Sequence, residues 1–173
     1  MTTFALPTCT LRPWRAEDAA SIARHADNRN VSRNLRDVFP SPYTLADAQA
    51  WLAAQVGRAP LTDFAIEVDG EAVGSIGLRV RGDVYRRTAE IGYWLAETHW
   101  GRGIMSDAVG AVTRYGIDTL ALVRIDAHVF APNVASARVL ERNGYVLEGR
   151  LRHAVEKDGE VLDALVYAFV AEG

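Results

Sequence analysis

With 173 residues, 49% hydrophobic and 24% charged, the chain fits one soluble globular domain over residues 1–173 and leaves little room for a second. A net charge of −3 argues against a nucleic-acid partner, and no run approaches the roughly 18 apolar residues of a membrane span. The lone Cys9 rules out an internal disulfide framework and a cysteine metal cluster.

Met1–Pro7 lacks the basic start and apolar core of a signal peptide, so a cytoplasmic protein is expected. Thr8–Trp14 alternates and is rich in β-formers, an opening strand. Ala16–Ala26 predicts an amphipathic helix, with Glu17 and Asp18 in a first turn whose dipole favours acids. Asp27–Tyr43 is a polar connection broken by Pro40 and Pro42. Thr44 is a plausible N-cap for a helix running to Val56. Asp63–Val68 and Ala72–Val80 read as strands joined by Asp69-Gly70, a strong hairpin signal. Arg81-Gly82-Asp83 marks the next turn.

Ala89–Leu95 is apolar and aromatic, as a buried strand should be, and it carries Glu90. From Ile104 the period changes: Met105, Ala108, Val109, Val112 and Tyr115 fall on one helical face. The connection between them, with Gly101-Arg102-Gly103, makes a strand–turn–helix unit. Such a turn aims backbone N–H groups and a helix dipole at one point, which suits phosphate or pyrophosphate. Gly-x-Gly alone is equally a relaxed helix start. A P-loop needs Gly-Lys-Ser/Thr, and the chain's only lysine is Lys157. A dinucleotide fingerprint needs a third glycine where Ser106 stands. Val123–Phe130 follows as a strand, Asn133–Asn143 as a helix closed by Gly144, and Tyr145–Val155 with Val161–Val170 as a hairpin around Asp158-Gly159. The expected fold is α/β (α+β), a mixed sheet of about seven strands with about four helices.

Trp100-Gly101-Arg102-Gly103-Ile104-Met105 resembles the acyl-CoA loop of the GNAT N-acetyltransferases, whose pattern is Gln/Arg-x-x-Gly-x-Gly/Ala. Its first and last positions depart from that pattern, and Gly103-Ile104-Met105-Ser106 is similar to a version found in the subgroup that acetylates ribosomal-protein N-termini. Leu11-Arg12-Pro13-Trp14 followed by Glu17-Asp18 resembles the family's opening and Glu90-Ile91-Gly92-Tyr93-Trp94 its fourth strand, while Asn133-x-x-Ser136, Asn143-Gly144-Tyr145, Glu148-Gly149 and Asp163 with Tyr167 resemble that subgroup.

The resemblance implies acetyl-CoA as co-substrate and a primary amine as acceptor: a protein N-terminus, as on a ribosomal protein, or a small amine such as an antibiotic, polyamine or amino acid. It implies that loop amides from Trp100 to Ser106 (Gly101, Arg102, Gly103, Ile104 and Met105 between them) hold the pyrophosphate. The backbone of Trp94, Leu95 and Ala96 would pair with pantetheine and offer an N–H to the oxyanion. The side chains of Trp94 and Leu95 read equally as core.

Asn133 reads as a helix N-cap, to which the resemblance adds a CoA contact. The family's tyrosine proton donor is replaced by Leu140, and in the subgroup Ser136 takes that role; in its own right Ser136 also reads as a surface residue. Glu90 is the best carboxylate for the amine proton, although it reads equally as a strand-face residue paired with an arginine such as Arg86 or Arg87. Glu156 and His128 are weaker alternatives, and a lone strand histidine is more often structural. No histidine pair has ligand spacing, so no metal is expected. A homodimer stays open, as does a non-catalytic acyl-CoA-binding protein.

Overall fold

The computed structural model describes residues 2–172. Eight strands are formed: β1 Phe4–Ala5, β2 Thr10–Arg12, β3 Asp63–Val68, β4 Glu71–Val80, β5 Thr88–Leu95, β6 Arg124–Phe130, β7 Val146–Lys157 and β8 Glu160–Val170. Five α-helices accompany them: α1 Ala19–Ala26, α2 Arg29–Ser32, α3 Leu45–Gln55, α4 Ile104–Asp118 and α5 Val134–Arg142. The strands make a mixed sheet in the order β1-β2-β3-β4-β5-β6-β8-β7. The strand and helix beyond the sequence expectation are β1, a two-residue pairing of Phe4 with Leu11 and Ala5 with Thr10, and α2, a single turn. Both are too short to display a period of two or of 3.6.

The chain forms two compact units, one holding residues up to Gly77 with Tyr93–Ala108, the other Leu78–Gly92 with residues from Val109 on. In the first, α1 buries Ala19, Ile22 and Ala26 and α3 buries Ala48 and Leu52 in one core. Fully burying an Ile or Leu side chain contributes about 1.5–3 kcal/mol, so Ile22 and Leu52 anchor the helices. Trp14 and Trp51 meet edge to face at 4.7 Å in this core. Thr44 caps α3 as expected, its hydroxyl accepting from Asp47 N–H while Asp47 accepts from the Thr44 backbone.

The start of α1 departs from expectation. Ala16–Asp18 is a short 3₁₀ turn and the α-helix begins at Ala19. Asp18 does not simply face solvent beside a dipole; it is buried and accepts two 2.8 Å bonds from the Arg12 guanidinium. Glu67 holds the same guanidinium through Nε. A buried arginine needs this pairing, because an unpaired buried charge is strongly unfavourable.

In the second unit, Val112 of α4, Ile125 of β6, Leu140 of α5 and Tyr145, just before β7, are buried. The Tyr145 hydroxyl is paired with Thr113 at 2.8 Å. Asn133 caps α5 as expected, its Oδ1 accepting from Ser136 N–H at 3.2 Å, and Gly144 follows the helix with φ +79°. The last hairpin extends further than its sequence pattern suggests, with pairing continuing to Lys157 and Glu160 beside the two-residue turn, and β7 carries two register irregularities, between Leu147 and Gly149 and between Leu151 and Val155. Asp163 spans the second, accepting from His153 N–H at 2.9 Å and Arg150 Nε at 2.6 Å.

Candidate active site

Strand β5 delivers the chain into a 3₁₀ turn at Glu97–His99, then through Trp100–Gly103 into α4. Gly101 and Gly103 have φ of +74° and +79°, in the left-handed region that side chains resist. No atom lies within 4 Å of where a Cβ would stand at either, so the loop backbone is open on that side. The first α4 hydrogen bond runs from Asp107 N–H to Gly103 C=O at 3.1 Å. The N–H groups of the opening turn precede that ladder and lie at the positive end of the helix dipole. The Asp107 side chain accepts at Oδ2 from the Thr8 hydroxyl at 2.7 Å.

The sequence nominated the backbone of Trp94, Leu95 and Ala96, and part of it is committed. Ala96 N–H donates to Val73 C=O at 2.8 Å, and Leu95 C=O accepts from the Trp100 indole at 2.8 Å. The oxyanion donor, if it comes from this stretch, is therefore not Ala96. The side chains of Leu95 and Ala96 are buried, and Trp94 packs against the core edge to face with Phe39 at 5.8 Å. Tyr43, at the end of the same connection, is itself buried in that core.

Sequence reasoning missed what fastens the turn. Glu97 accepts from Asn28 Nδ2 at 2.8 Å and from Asn30 Nδ2 at 2.9 Å. His25 and His99 lie edge to face at 6.1 Å, and His25 Nε2 is 3.0 Å from Glu71. Arg24 shares that carboxylate, and burial, Arg24 and His99 together hold the His25 imidazole below its ordinary range. Burial and Arg102 lower His99 in the same direction.

Glu90 belongs to the second unit, where it stands in parallel register with Asp126. That register covers Thr88–Glu90 against Arg124–Asp126, while β5 continues to Leu95 and β6 to Phe130. Glu90 pairs with neither Arg86 nor Arg87, whose guanidiniums reach the carbonyls of Asp83 and Ala121. Its Oε2 instead lies 3.3 Å from Arg79 on β4, because alternation in an extended strand sends near neighbours elsewhere and brings the adjacent strand into reach. Its Oε1 is 4.0 Å from His128 Nδ1. Asp126 is buried and gripped by both Arg81 nitrogens at 2.8 Å, and Arg124 turns to Glu148 at 2.6–2.8 Å.

Ser136 is half-buried in the first turn of α5, adjoining Asn133, whereas Leu140 is fully buried and contributes only to the core. Glu156 is exposed opposite Val161 in the last hairpin. Among the described residues, no three His, Cys, Asp or Glu side chains are grouped to hold a metal ion, and no helix is long and apolar enough to cross a membrane.

Comparison with known proteins gives these elements a context. A family model described as an acetyltransferase (GNAT) domain matches residues 9–146. The probable N-acetyltransferase YjcK of Bacillus subtilis is 39% identical over 94% of both chains. The ribosomal-protein-serine acetyltransferase of Escherichia coli is 35% identical over 63% of this chain and 60% of that protein. Among solved structures, Mycobacterium smegmatis RimJ in complex with CoA-disulfide superposes with a TM-score of 0.83 at 30% identity, covering 98% of this chain and 86% of that one.

Proposed function

The chain belongs to the GNAT N-acetyltransferases, and from that premise we propose that it transfers an acetyl group from acetyl-CoA to the N-terminal amine of a protein, such as a ribosomal protein. The observation that carries the CoA half is the Trp100–Met105 loop, with two left-handed glycines opening onto the first turn of α4. Its amides from Gly101 to Ser106 suit a pyrophosphate, whereas the Trp100 N–H expected with them is already bonded to Glu97 C=O at 3.1 Å, and Arg102 adds an exposed cation. The likeness to the ribosomal-protein-serine acetyltransferase supports the acceptor half.

Chemistry supports the same acceptor. A protein N-terminal amine has a reference pKa near 7.7–8.0 and is partly neutral at physiological pH, whereas a lysine or polyamine amine near 10.4 demands roughly 3–4 kcal/mol of deprotonation. In the proposed reaction the neutral amine attacks the thioester carbonyl, a C–N bond forms, the C–S bond breaks and the thiolate takes up a proton. Glu90 accepts the proton released by the amine, Ser136 donates its hydroxyl proton to the thiolate and is re-protonated from water, and Asn133 adds a CoA contact beside its capping role.

The test is thiol release from acetyl-CoA with a panel of N-terminal peptides, polyamines and aminoglycosides. Turnover is expected with peptides bearing a free α-amine. Turnover confined to small amines would replace the acceptor, and tight CoA binding with no turnover across the panel would make the protein an acyl-CoA sensor. The second of these readings has one observation in its favour, the fully buried Leu140 where the family places a tyrosine donor.

A further inference from the structure

We propose that His128 is a proton relay for the reaction, taking from Glu90 the proton that Glu90 removes from the acceptor amine and passing it to solvent. This rests on Glu90 being the base, as proposed above. The two side chains come from adjacent parallel strands. Glu90 stands in register with Asp126, and His128, two residues beyond Asp126, is on the same sheet face.

The two oxygens of Glu90 have different neighbours. Oε2 is 3.3 Å from Arg79, whereas Oε1 faces His128 Nδ1 at 4.0 Å. That spacing is one side-chain adjustment, or one water, from a hydrogen bond, and catalytic hydrogen bonds commonly tighten only when substrate is bound. Accessibility runs in the direction a relay needs: the Glu90 side chain is 24% exposed and His128 is 42% exposed. A histidine kept for packing would be buried and bonded on both nitrogens. This one has its Nδ1 between two carboxylates, Glu90 and Asp126, each at 4.0 Å.

The remaining charges around it are already matched. Asp126 is held by Arg81 and approached by Arg124 at 3.5 Å, and Glu148 is held by Arg124. Arg79 balances Glu90. From β8, the residue in register with His128 is the uncharged Val166.

The chemistry shows why a second acceptor helps. As the C–N bond forms, the attacking amine nitrogen gives its proton to the Glu90 carboxylate. The resulting carboxylic acid gives that proton to His128 Nδ1 and Nε2 releases one to water; proton exchange with solvent then returns the imidazole to its Nε2–H tautomer, so Glu90 is again a carboxylate, His128 can accept again, and no other reactant is needed.

The experiment compares Glu90→Gln, His128→Gln, His128→Ala and the Glu90→Gln/His128→Gln double variant of the full chain, each checked for an unchanged urea midpoint. The measurements are kcat and kcat/KM across pH 5.5–9 with an N-terminal peptide as acceptor. His128→Gln is expected to lower kcat about tenfold and to move the acid limb of the profile. Added imidazole should restore His128→Ala, and the double variant should be no slower than Glu90→Gln alone. An unchanged rate and profile in His128→Gln, or a uniform loss that imidazole does not rescue, would overturn the relay while leaving Glu90 as base. A Glu90→Gln variant that turns over at the wild-type rate would overturn the base assignment and the relay with it.

Discussion

The side-chain amide of Asn28 donates to Glu97 at 2.8 Å, joining residues 69 apart in sequence. Asn30 donates to the other oxygen of the same carboxylate at 2.9 Å, so both oxygens of Glu97 hold the first turn of α2. Asn28 also caps that turn, accepting from Asn30 N–H at 2.8 Å. The segment that follows carries Phe39 to its contact with Trp94. Glu97 thus ties the long connection after α1 to the turn that opens the glycine loop.

Hydrogen bonds to a charged acceptor contribute about 1.5–3 kcal/mol when buried, and half-exposed ones less. Glu97→Ala is therefore expected to loosen the connection by about 1 kcal/mol, roughly fivefold in local opening. Trypsin cleavage at the exposed Arg33 and Arg36 reads this directly. Glu97→Gln, which keeps one acceptor oxygen, should fall between wild type and alanine. Equal cleavage rates in all three would show that the segment is held by Phe39 and Tyr43 instead.

Gly74 makes a different kind of constraint. A Cβ there would sit 2.5 Å from Trp94 C=O and 3.2 Å from Leu95 Cα, both backbone atoms that cannot swing aside. Gly74 pairs with Ile66, beside the register shift between Ile66 and Glu67, and directly follows Val73, whose C=O accepts from Ala96 N–H. Gly74→Ala must separate β4 from the end of β5, at about 1–3 kcal/mol for overpacking of this kind. The urea midpoint should fall accordingly, and a variant as stable as wild type would mean that the strands give way freely at this point.

Legibility followed sequence distance. The Asp69-Gly70 and Asp158-Gly159 turns, the Thr44 capping box and the Asn133 cap each depend on groups within four residues, and all four form as their residue types demand. The glycine loop was likewise legible, because strand, loop and helix adjoin in the chain. Glu90 was found as a carboxylate, yet its partner is Arg79 on the neighbouring strand and not an arginine close by in sequence. Asp18 looked like a first-turn acid until Arg12 and the sheet surrounded it. The Trp100 indole bond to Leu95 and the Asn28–Glu97 tie have no signature in residue type or spacing.

Gly103 tests the CoA loop. With open space around its Cβ position, a side chain meets no clash there, and the cost comes from φ +79° and from crowding where the amides face the ligand. Gly103→Val should weaken CoA binding at least tenfold, about 1.4 kcal/mol, and Gly103→Ala by less. Titration calorimetry on folded variants measures this. An unchanged CoA affinity in the valine variant would remove the loop from the pyrophosphate.

The His25–His99 pair gives the fold an acid sensitivity of known sign. Both imidazoles are held below their ordinary range, so between that range and their folded values the unfolded chain binds more protons than the folded one. Their contribution to stability is complete above about pH 6.5, the ordinary imidazole value, and declines as the pH falls through it. The urea midpoint should drop between pH 7.5 and 5.5, and the drop should shrink in His25→Gln. A His25→Gln variant with the full acid-induced drop would assign the sensitivity to other groups.

Ser136 is the residue on which the proposed chemistry departs furthest from the usual family arrangement. Leu140 is fully buried and has no proton to give, so a hydroxyl in the first turn of α5 is the candidate to meet the leaving thiolate. A general acid typically contributes about 10²–10⁴-fold. A thiol with a reference pKa near 8.5 leaves tolerably well without full protonation, which places the effect at the bottom of that range. Ser136→Ala should therefore lower kcat about ten- to a hundredfold. CoA affinity should change far less, because Asn133 and the loop amides are untouched by the substitution. The alanine truncation also leaves the backbone bond from residue 136 N–H to Asn133 Oδ1 in place, so the cap and the helix persist. Measuring kcat beside a CoA titration for Ser136→Ala and Ser136→Cys separates the two effects. Full activity in the alanine variant would mean that water or another side chain protonates the thiolate, and that Ser136 serves only the helix.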